Sequence, residues 1–531
     1  MANVNSKEAA PVLIDGKWQP ASASSLFASF NPSLNQPLAE QYPVSDWSDC
    51  DRALDAAGRA AVELAMIAPD QIARFLEDYA GRIEAAAAKL VEIAAAETAL
   101  PSEPRLGKVE LPRTTGQLRQ AAAAARSGSW SMPTIDTKLN IRSCYEPIGP
   151  VCVFGPNNFP FAFNSISGGD FAAAIAAGNP VIGKANTSHP GTTRALAELA
   201  QQASEATGLP RGTVQLLYRL SHEDGARLVS DPRMGAVGYT GSRHAGLALK
   251  QAADAAGKPI YLELSSVNPV VILPGSLNER GTSMVEEFVT SSLMGTGQFC
   301  TNPGLVLLIE GENSTKFVDG VCEKYKAGTP GTLLSTGVCK TLTGAIKTLV
   351  SAGAKLHCGG EPVNGRCSVG NTLLTAAAAQ FLADPEVFQT EAFGNATLVV
   401  TAKSVDELAA VIDSLEGNLT GCIYSATAGD DDAAYAKLAP RLARKVGRLL
   451  NDKMPTGVAV SSAMNHGGPY PSTGHPGFTA VGIPASLLRF AKLTCYDAVR
   501  AGRLPTILRN HNPTGSTWRL IDGNWSTGDV V

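Results

Sequence analysis

Residues 47–126 read as a helical region. Asp51-Arg-Ala-Leu-Asp-Ala-Ala is rich in alanine and leucine, and apolar residues return at three-four spacing through Ile72, Phe75, Leu76, Tyr79 and Ile83. Residues 11–45 hold short strand-like pieces, such as 12–14 and 26–30, broken by Gly, Pro and Asn. Residues 134–154 read as two strands about a turn, with 138–144 alternating and 150–154 apolar. A regular rhythm then begins. Apolar runs at 151–154, 180–184, 214–218, 234–239 and 260–264 predict strands. The intervening segments 170–177, 192–207, 223–229 and 245–256 predict helices, the first two closed by Gly178 and Gly208. Strands alternating with helices predict a parallel α/β sheet, for which a nucleotide at the carboxyl ends of the strands is the default ligand.

A second alternating series runs from Val270 to about Val460. Its predicted helices are 283–294 and 316–327, and its predicted strands 305–309 and 397–401. A second α/β domain is expected there. The last ~40 residues are rich in Asn, Gly, Thr and Pro and are expected to drape over a neighbour.

Composition narrows the classes. A chain of 531 residues has room for roughly two to four domains. The 44 basic and 48 acidic residues leave a net charge of -4, which argues against a dedicated nucleic-acid binder. With 44% hydrophobic and 17% charged residues, disorder is disfavoured as well. The 10 cysteines include no C-x-x-C pair, so no metal site is expected and a reducing compartment is. No apolar run reaches the ~18 residues of a membrane span, and Met1 to Ala10 carries no apolar leader. A cytoplasmic protein without a membrane partner is expected.

Several residues stand out chemically. Cys300 lies in Gly295-Thr-Gly-Gln-Phe-Cys-Thr-Asn-Pro-Gly, where glycines and polar neighbours let a ligand approach the backbone. Most lone cysteines are small core residues, and the other nine are read that way. Glu263 sits inside the apolar run Ile260-Tyr-Leu-Glu-Leu, a costly place for a carboxylate unless it is paired or acts as a general base; a strand-end glutamate reaching water is the plainer reading. Asn158, after the strand at 151–154, can donate to an oxyanion or merely form a turn beside Pro156. Lys184 ends a strand, where lysines ordinarily reach solvent. Gly241 and Ser242 join a strand to a helix, which suits either a phosphate seat or a plain serine N-cap. No G-x-G-x-x-G turn follows a strand.

Taken in order, these segments resemble the aldehyde dehydrogenase superfamily over nearly the whole chain. Pro156-Asn-Asn-Phe-Pro is similar to P-W-N-F-P, and Tyr239-Thr-Gly-Ser to F-T-G-S. Leu262-Glu-Leu matches the start of L-E-L-G-G, Gly297-Gln-Phe-Cys matches G-Q-x-C, and Glu391-Ala-Phe-Gly matches most of E-x-F-G-P. Lys184 matches the family's cofactor lysine. Gly297 to Gly304, Leu264 to Pro269, Pro455-Thr-Gly457 and His466 to Pro471 resemble the branch acting on α-ketoglutaric semialdehyde, a pattern shared in part by long-chain fatty aldehyde dehydrogenases. Four departures stand out: Asn157 for Trp, Ser265-Ser266 for Gly-Gly, Asn395 for Pro, and a His466-Gly-Gly-Pro segment for P-F-G-G.

The resemblance implies an α/β fold with a Rossmann-type cofactor domain (1–133 and 155–269), an α/β catalytic domain (270–485), and a small β oligomerisation element with C-terminal tail (134–154 and 486–531). A homodimer or homotetramer acting on a small-molecule aldehyde is implied with it. Cys300 would be the nucleophile, Glu263 the base and Asn158 the oxyanion donor. Lys184, Gly241, Ser242, Glu391 and Phe393 would line the cofactor. NAD-preferring relatives carry a glutamate three residues after the cofactor lysine, where this chain has Thr187. A hydroxyl there does not repel a 2′-phosphate, so NADP is expected, with NAD possible, and Arg219 is a second candidate for the phosphate. Arg113, on the helix expected to line the substrate tunnel, is the candidate for a distal substrate carboxylate. A CoA-acylating enzyme or an inactive relative are the alternative readings; retention of Glu263 opposes the first, and the full set of catalytic residues the second.

Overall fold

The computed structural model describes residues 9–530. Of the segment Met1 to Ala10, all but the last two residues lie outside that description.

The alternating pattern of 151–264 folds into a seven-stranded sheet. Its order is Ile260–Glu263, Ala236–Thr240, Val151–Phe154, Val181–Lys184, Val214–Leu217, Val12–Ile14, Lys17–Gln19. The first five strands are parallel and the last two are added antiparallel at one edge. Val151, Cys152, Val153, Val181, Ile182 and Leu216 are all buried, because helices cover both faces and no polar alternation is required. Helices Gly169–Ala176, Pro190–Thr207, His222–Ser230 and Arg243–Ala255 form the crossovers. The last starts two residues before the predicted 245, since the Ser242 hydroxyl accepts from Ala245 N and caps the first turn.

The helical stretch 47–126 resolves into Trp47–Leu64, Pro69–Ala85, Ala87–Thr98 and Leu111–Ser127. Pro69 starts the second helix, and the irregular turn at 102–110 follows Pro101 and contains Pro104, as prolines without a donor N–H dictate. A second seven-stranded sheet runs Lys355–Cys358, Thr372–Ala377, Ala396–Ala402, Leu305–Ile309, Val270–Ile272, Asn418–Tyr424, Val446–Asn451. Only its first strand is antiparallel.

The chain's third large sheet holds a correction. The strand predicted at 138–144 is observed as Thr134–Asp136 and Ile141–Pro147, because Asn140 takes a left-handed turn conformation between them. The tail carries two short strands. It adds strands Arg519–Ile521 and Asn524–Ser526 to this sheet, the first running parallel to Thr134–Asp136, while Ala491–Asp497 closes the other edge against Ile141–Pro147. Arg519 is fully buried and donates to the carbonyls of Arg509, Asn510 and Gly528. No described helix is long and apolar enough to cross a membrane.

Candidate active site

Cys300 and Glu263 reach one point by different routes. Glu263 is the last residue of the edge strand Ile260–Glu263, whose ladder with Ala236–Thr240 fixes its position. It is 2% exposed. Cys300 sits on no regular element. After helix Thr282–Leu293 the chain takes three successive left-handed residues, Gly295, Thr296 and Gly297. At Gly297 a side chain is excluded outright, since a Cβ would lie 2.1 Å from the Gly394 carbonyl oxygen. The loop beyond is held by side-chain amides. Asn268 Nδ2 donates to the carbonyls of Cys300 (2.8 Å) and Asn302 (2.9 Å), and Gln298 Oε1 accepts from Leu334 N at 2.8 Å.

His466 stands between the two. Its Nε2 lies 2.9 Å from Glu263 Oε1 and 3.4 Å from Cys300 Sγ. One ring nitrogen cannot serve both at once: protonated it donates to the carboxylate, unprotonated it accepts from the thiol. Glu263 Oε2 is buried without a hydrogen-bond partner. Burial, then the neighbouring Glu263 charge, push the Cys300 thiol well above its ordinary range, while Arg113 pulls it down. The resting group is therefore a thiol that needs a base beside it. The sequence marks the His466 segment as a departure from P-F-G-G and as a feature of the branch it resembles, without placing the imidazole at the sulfur. Nothing local marks it, because the contact is made by the loop 455–481 folding back over both sheets.

Asn158 is buried, and its Nδ2 donates to the Gln298 carbonyl at 3.0 Å. That leaves its second N–H free, since a primary amide carries two. Asn158, Glu263, Cys300, Glu391 and Phe393 line a cavity of about 710 Å³. A second cavity of about 510 Å³ is lined by Lys184, Thr187 and Arg219. Asn157, Gly241 and Ser242 border both, so the two adjoin. Lys184 is pulled down to about 8, first by burial and then by Arg219. Glu391 is raised to about 7 by burial, although Ser266 N and the Ser265 side chain favour its charged form. Of the two serines that depart from Gly-Gly, Ser265 thus adds a side-chain donor to Glu391, while Ser266 uses a backbone N–H that glycine would also supply. Asn395, in place of Pro, donates to the Val369 carbonyl and Asn371 Oδ1, both at 2.8 Å.

Buried Arg105 and half-buried Arg113 line neither of these two cavities. Arg105 is paired with Glu110, donates to the Asn158 carbonyl at 3.0 Å and lies 4.4 Å over the Phe159 ring. Arg113 lies 5.1 Å over Phe163 and makes one long bond, 3.3 Å, from Nε to Gln117. Its Nη2 is buried with no partner. Arg119, six residues on, faces outward and pairs with Glu84.

A half-buried thiol beside a buried carboxylate and imidazole, on a cavity lined from two doubly wound sheets, defines a cysteine-dependent α/β enzyme. The chain belongs to the aldehyde dehydrogenase family, whose model matches residues 18–472. It is 39% identical to an α-ketoglutaric semialdehyde dehydrogenase 2 of Azospirillum brasilense, over 96% of this chain and 98% of that one. It is 36% identical to an α-ketoglutaric semialdehyde dehydrogenase of Acinetobacter baylyi, over 96% and 97%. Among solved structures, lactaldehyde dehydrogenase from Escherichia coli superposes with a TM-score of 0.79 at 21% identity, covering 92% of this chain and 98% of the other. The NAD+ complex of a Bacillus cereus aldehyde dehydrogenase gives 0.78 at 20%, covering 92% and 96%.

Proposed function

We propose that this enzyme oxidises α-ketoglutaric semialdehyde to 2-oxoglutarate, with NADP as the preferred acceptor and NAD as a usable one. The observation that carries the substrate assignment is the Arg113 Nη2, buried without a partner and close enough to Cys300 to favour its thiolate. A burial this costly is offset when a carboxylate arrives, and a ketoacid semialdehyde carries one opposite its aldehyde. The two semialdehyde dehydrogenases at 36% and 39% identity agree with it.

The cleft suits a dinucleotide. Lys184, Thr187 and Arg219 would hold its adenosine end, Gly241 and Ser242 its phosphates, Glu391 its nicotinamide ribose, with Phe393 beside the ring. When bound, the cofactor supplies the hydride acceptor. The chain's own residues do the rest. His466 Nε2 takes the Cys300 proton, and Glu263 Oε1 steadies the imidazolium. The thiolate attacks the aldehyde carbon. The free Asn158 N–H and the Cys300 backbone N–H stabilise the oxyanion. Glu263 Oε2, left unpaired, accepts a proton from the water that hydrolyses the thioester.

The same reading divides the chain into a cofactor unit (1–133 and 155–269), a catalytic unit (270–485) and an assembly element (134–154 and 486–531). On the assembly element Leu139 and Leu493 are exposed, 67% and 62%, and a second copy would cover them in a cytoplasmic homodimer or homotetramer. One assay tests the function: α-ketoglutaric semialdehyde and hexanal, each with NADP and NAD, without and then with CoA. Free acid from the semialdehyde is expected, with NADP used at least as well as NAD. A preference for hexanal would move the enzyme to fatty aldehydes, an absolute need for CoA to the acylating class, and a preference for NAD of about tenfold, ~1.4 kcal/mol, would overturn the Thr187 reading.

A further inference from the structure

Glu263, Cys300 and His466 each present one ligand atom, and the three atoms lie within 4.8 Å of one another. Two of the edges are 3.4 Å from Sγ to Nε2 and 2.9 Å from Nε2 to Oε1. Around a tetrahedral zinc ion, bonds of about 2.0–2.3 Å place ligand atoms roughly 3.3–3.7 Å apart. Small side-chain rotations would bring all three to that spacing. Thiolate, imidazole and carboxylate are the mix that suits a borderline cation such as Zn2+ over Mg2+ or Ca2+. Because Cys300 and Glu263 line the 710 Å³ cavity, the fourth corner of the tetrahedron opens toward water.

We infer that the catalytic centre doubles as a reversible, inhibitory zinc site, with Cys300, His466 and Glu263 as its ligands. On binding, the Cys300 S–H bond breaks, a Zn–S bond forms and the proton passes to solvent. The His466 lone pair at Nε2 and one Glu263 oxygen complete the set with no change of oxidation state. The sulfur pair that would attack an aldehyde is then held by the metal, while the dinucleotide cleft stays open. No C-x-x-C spacing announces this site, since its ligands come from a sheet edge, a glycine loop and a distant return loop. Ordinary aldehyde dehydrogenase action does not require it.

Cobalt(II) serves as the spectroscopic probe, because a Co–thiolate bond gives a charge-transfer band in the near ultraviolet. Chelator-treated full-length protein is titrated without aldehyde or cofactor. One equivalent should develop the band; Cys300→Ser should lack it, and His466→Phe should weaken cobalt binding by about tenfold or more. In zinc-buffered assays, turnover should fall about tenfold near 10 µM free Zn2+ and return with chelator. Cofactor binding by each variant checks its fold. In the wild-type protein, prior zinc should also shield Cys300 from iodoacetamide, read on its peptide by mass. No band at one equivalent, a band that survives Cys300→Ser, or no shielding would overturn the site. The band and the shielding are read without turnover, so they stand or fall separately from the dehydrogenase assignment.

Discussion

The two catalytic groups are anchored in opposite ways. Glu263 closes a strand held in a parallel ladder on a sheet buried on both faces. Cys300 hangs on a loop whose shape depends on Gly297 fitting against the Gly394 carbonyl and on Asn268 gripping the carbonyl of Cys300 itself. The base is thus as rigid as its sheet. The nucleophile is only as well placed as a few loop contacts allow. A thioester enzyme gains from this division, since the sulfur changes partners through the cycle while the base must keep one position relative to the attacking water.

Substitutions separate the two anchors. Cys300→Ala should lower turnover about a thousandfold or more while cofactor binding, measured by fluorescence, stays intact. Substantial residual turnover would remove Cys300 from the chemistry. Glu263→Gln should cost about a hundredfold in steady-state rate and keep a burst of reduced cofactor, slower than in the wild type because a neutral amide steadies the His466 imidazolium less, yet still faster than hydrolysis. Loss of the burst would show that thiol activation, not thioester hydrolysis, is where Glu263 matters most. Gly297→Ala tests the loop without touching a reacting atom. Its added methyl meets the Gly394 carbonyl, and the displaced sulfur should lose up to about a hundredfold in kcat/KM. A fully active variant would mean that the loop is not what aims Cys300.

Arg113→Met should raise KM for α-ketoglutaric semialdehyde about tenfold to a hundredfold, the loss of ~1.5–3 kcal/mol of a charged hydrogen bond, and leave hexanal almost unchanged. Equal losses for both aldehydes would make Arg113 a packing residue. The smallest effect separates the two sheets by pH. Lys184, on the first sheet, titrates at about 8 in the free enzyme, so its grip on an anionic cofactor is present below that pH and lost above it. Glu391, beside the second, titrates at about 7 and accepts ribose hydroxyls best when ionised, so its contribution is lost as pH falls below 7. KM for NADP should be lowest between these values and rise by no more than about tenfold per pH unit on either side. A flat profile would detach both residues from the cofactor.

The five parallel strands of the first sheet were readable one by one, because apolar runs separated by helices have few other solutions; the antiparallel edge pair Val12–Ile14 and Lys17–Gln19 was not placed in it. Glu263 and Lys184 could be read at strand ends for the same reason. Asn158 and Cys300 needed motif order in addition, since each is ambiguous alone. His466 shows where linear reading stops. A histidine in a glycine-rich segment has no periodic signature, and its place against Cys300 exists only once a distant loop has closed. The Arg105–Glu110 pair escaped notice because an irregular turn among prolines hides which side chains point inward. Strands Arg519–Ile521 and Asn524–Ser526 are too short to alternate visibly.

That last hairpin carries a practical consequence for making the protein. Arg519 fills the centre of the final segment, and Thr517 Oγ1 donates to the Ser127 carbonyl at 2.6 Å, tying the tail to a helix nearly four hundred positions earlier. A ribosome that stops short of this point would release a chain with the edge of Thr134–Asp136 bare and the arginine's carbonyl acceptors unserved. Such an edge invites strand addition from other molecules, so truncated products should partition into inclusion bodies instead of persisting as partly active enzyme.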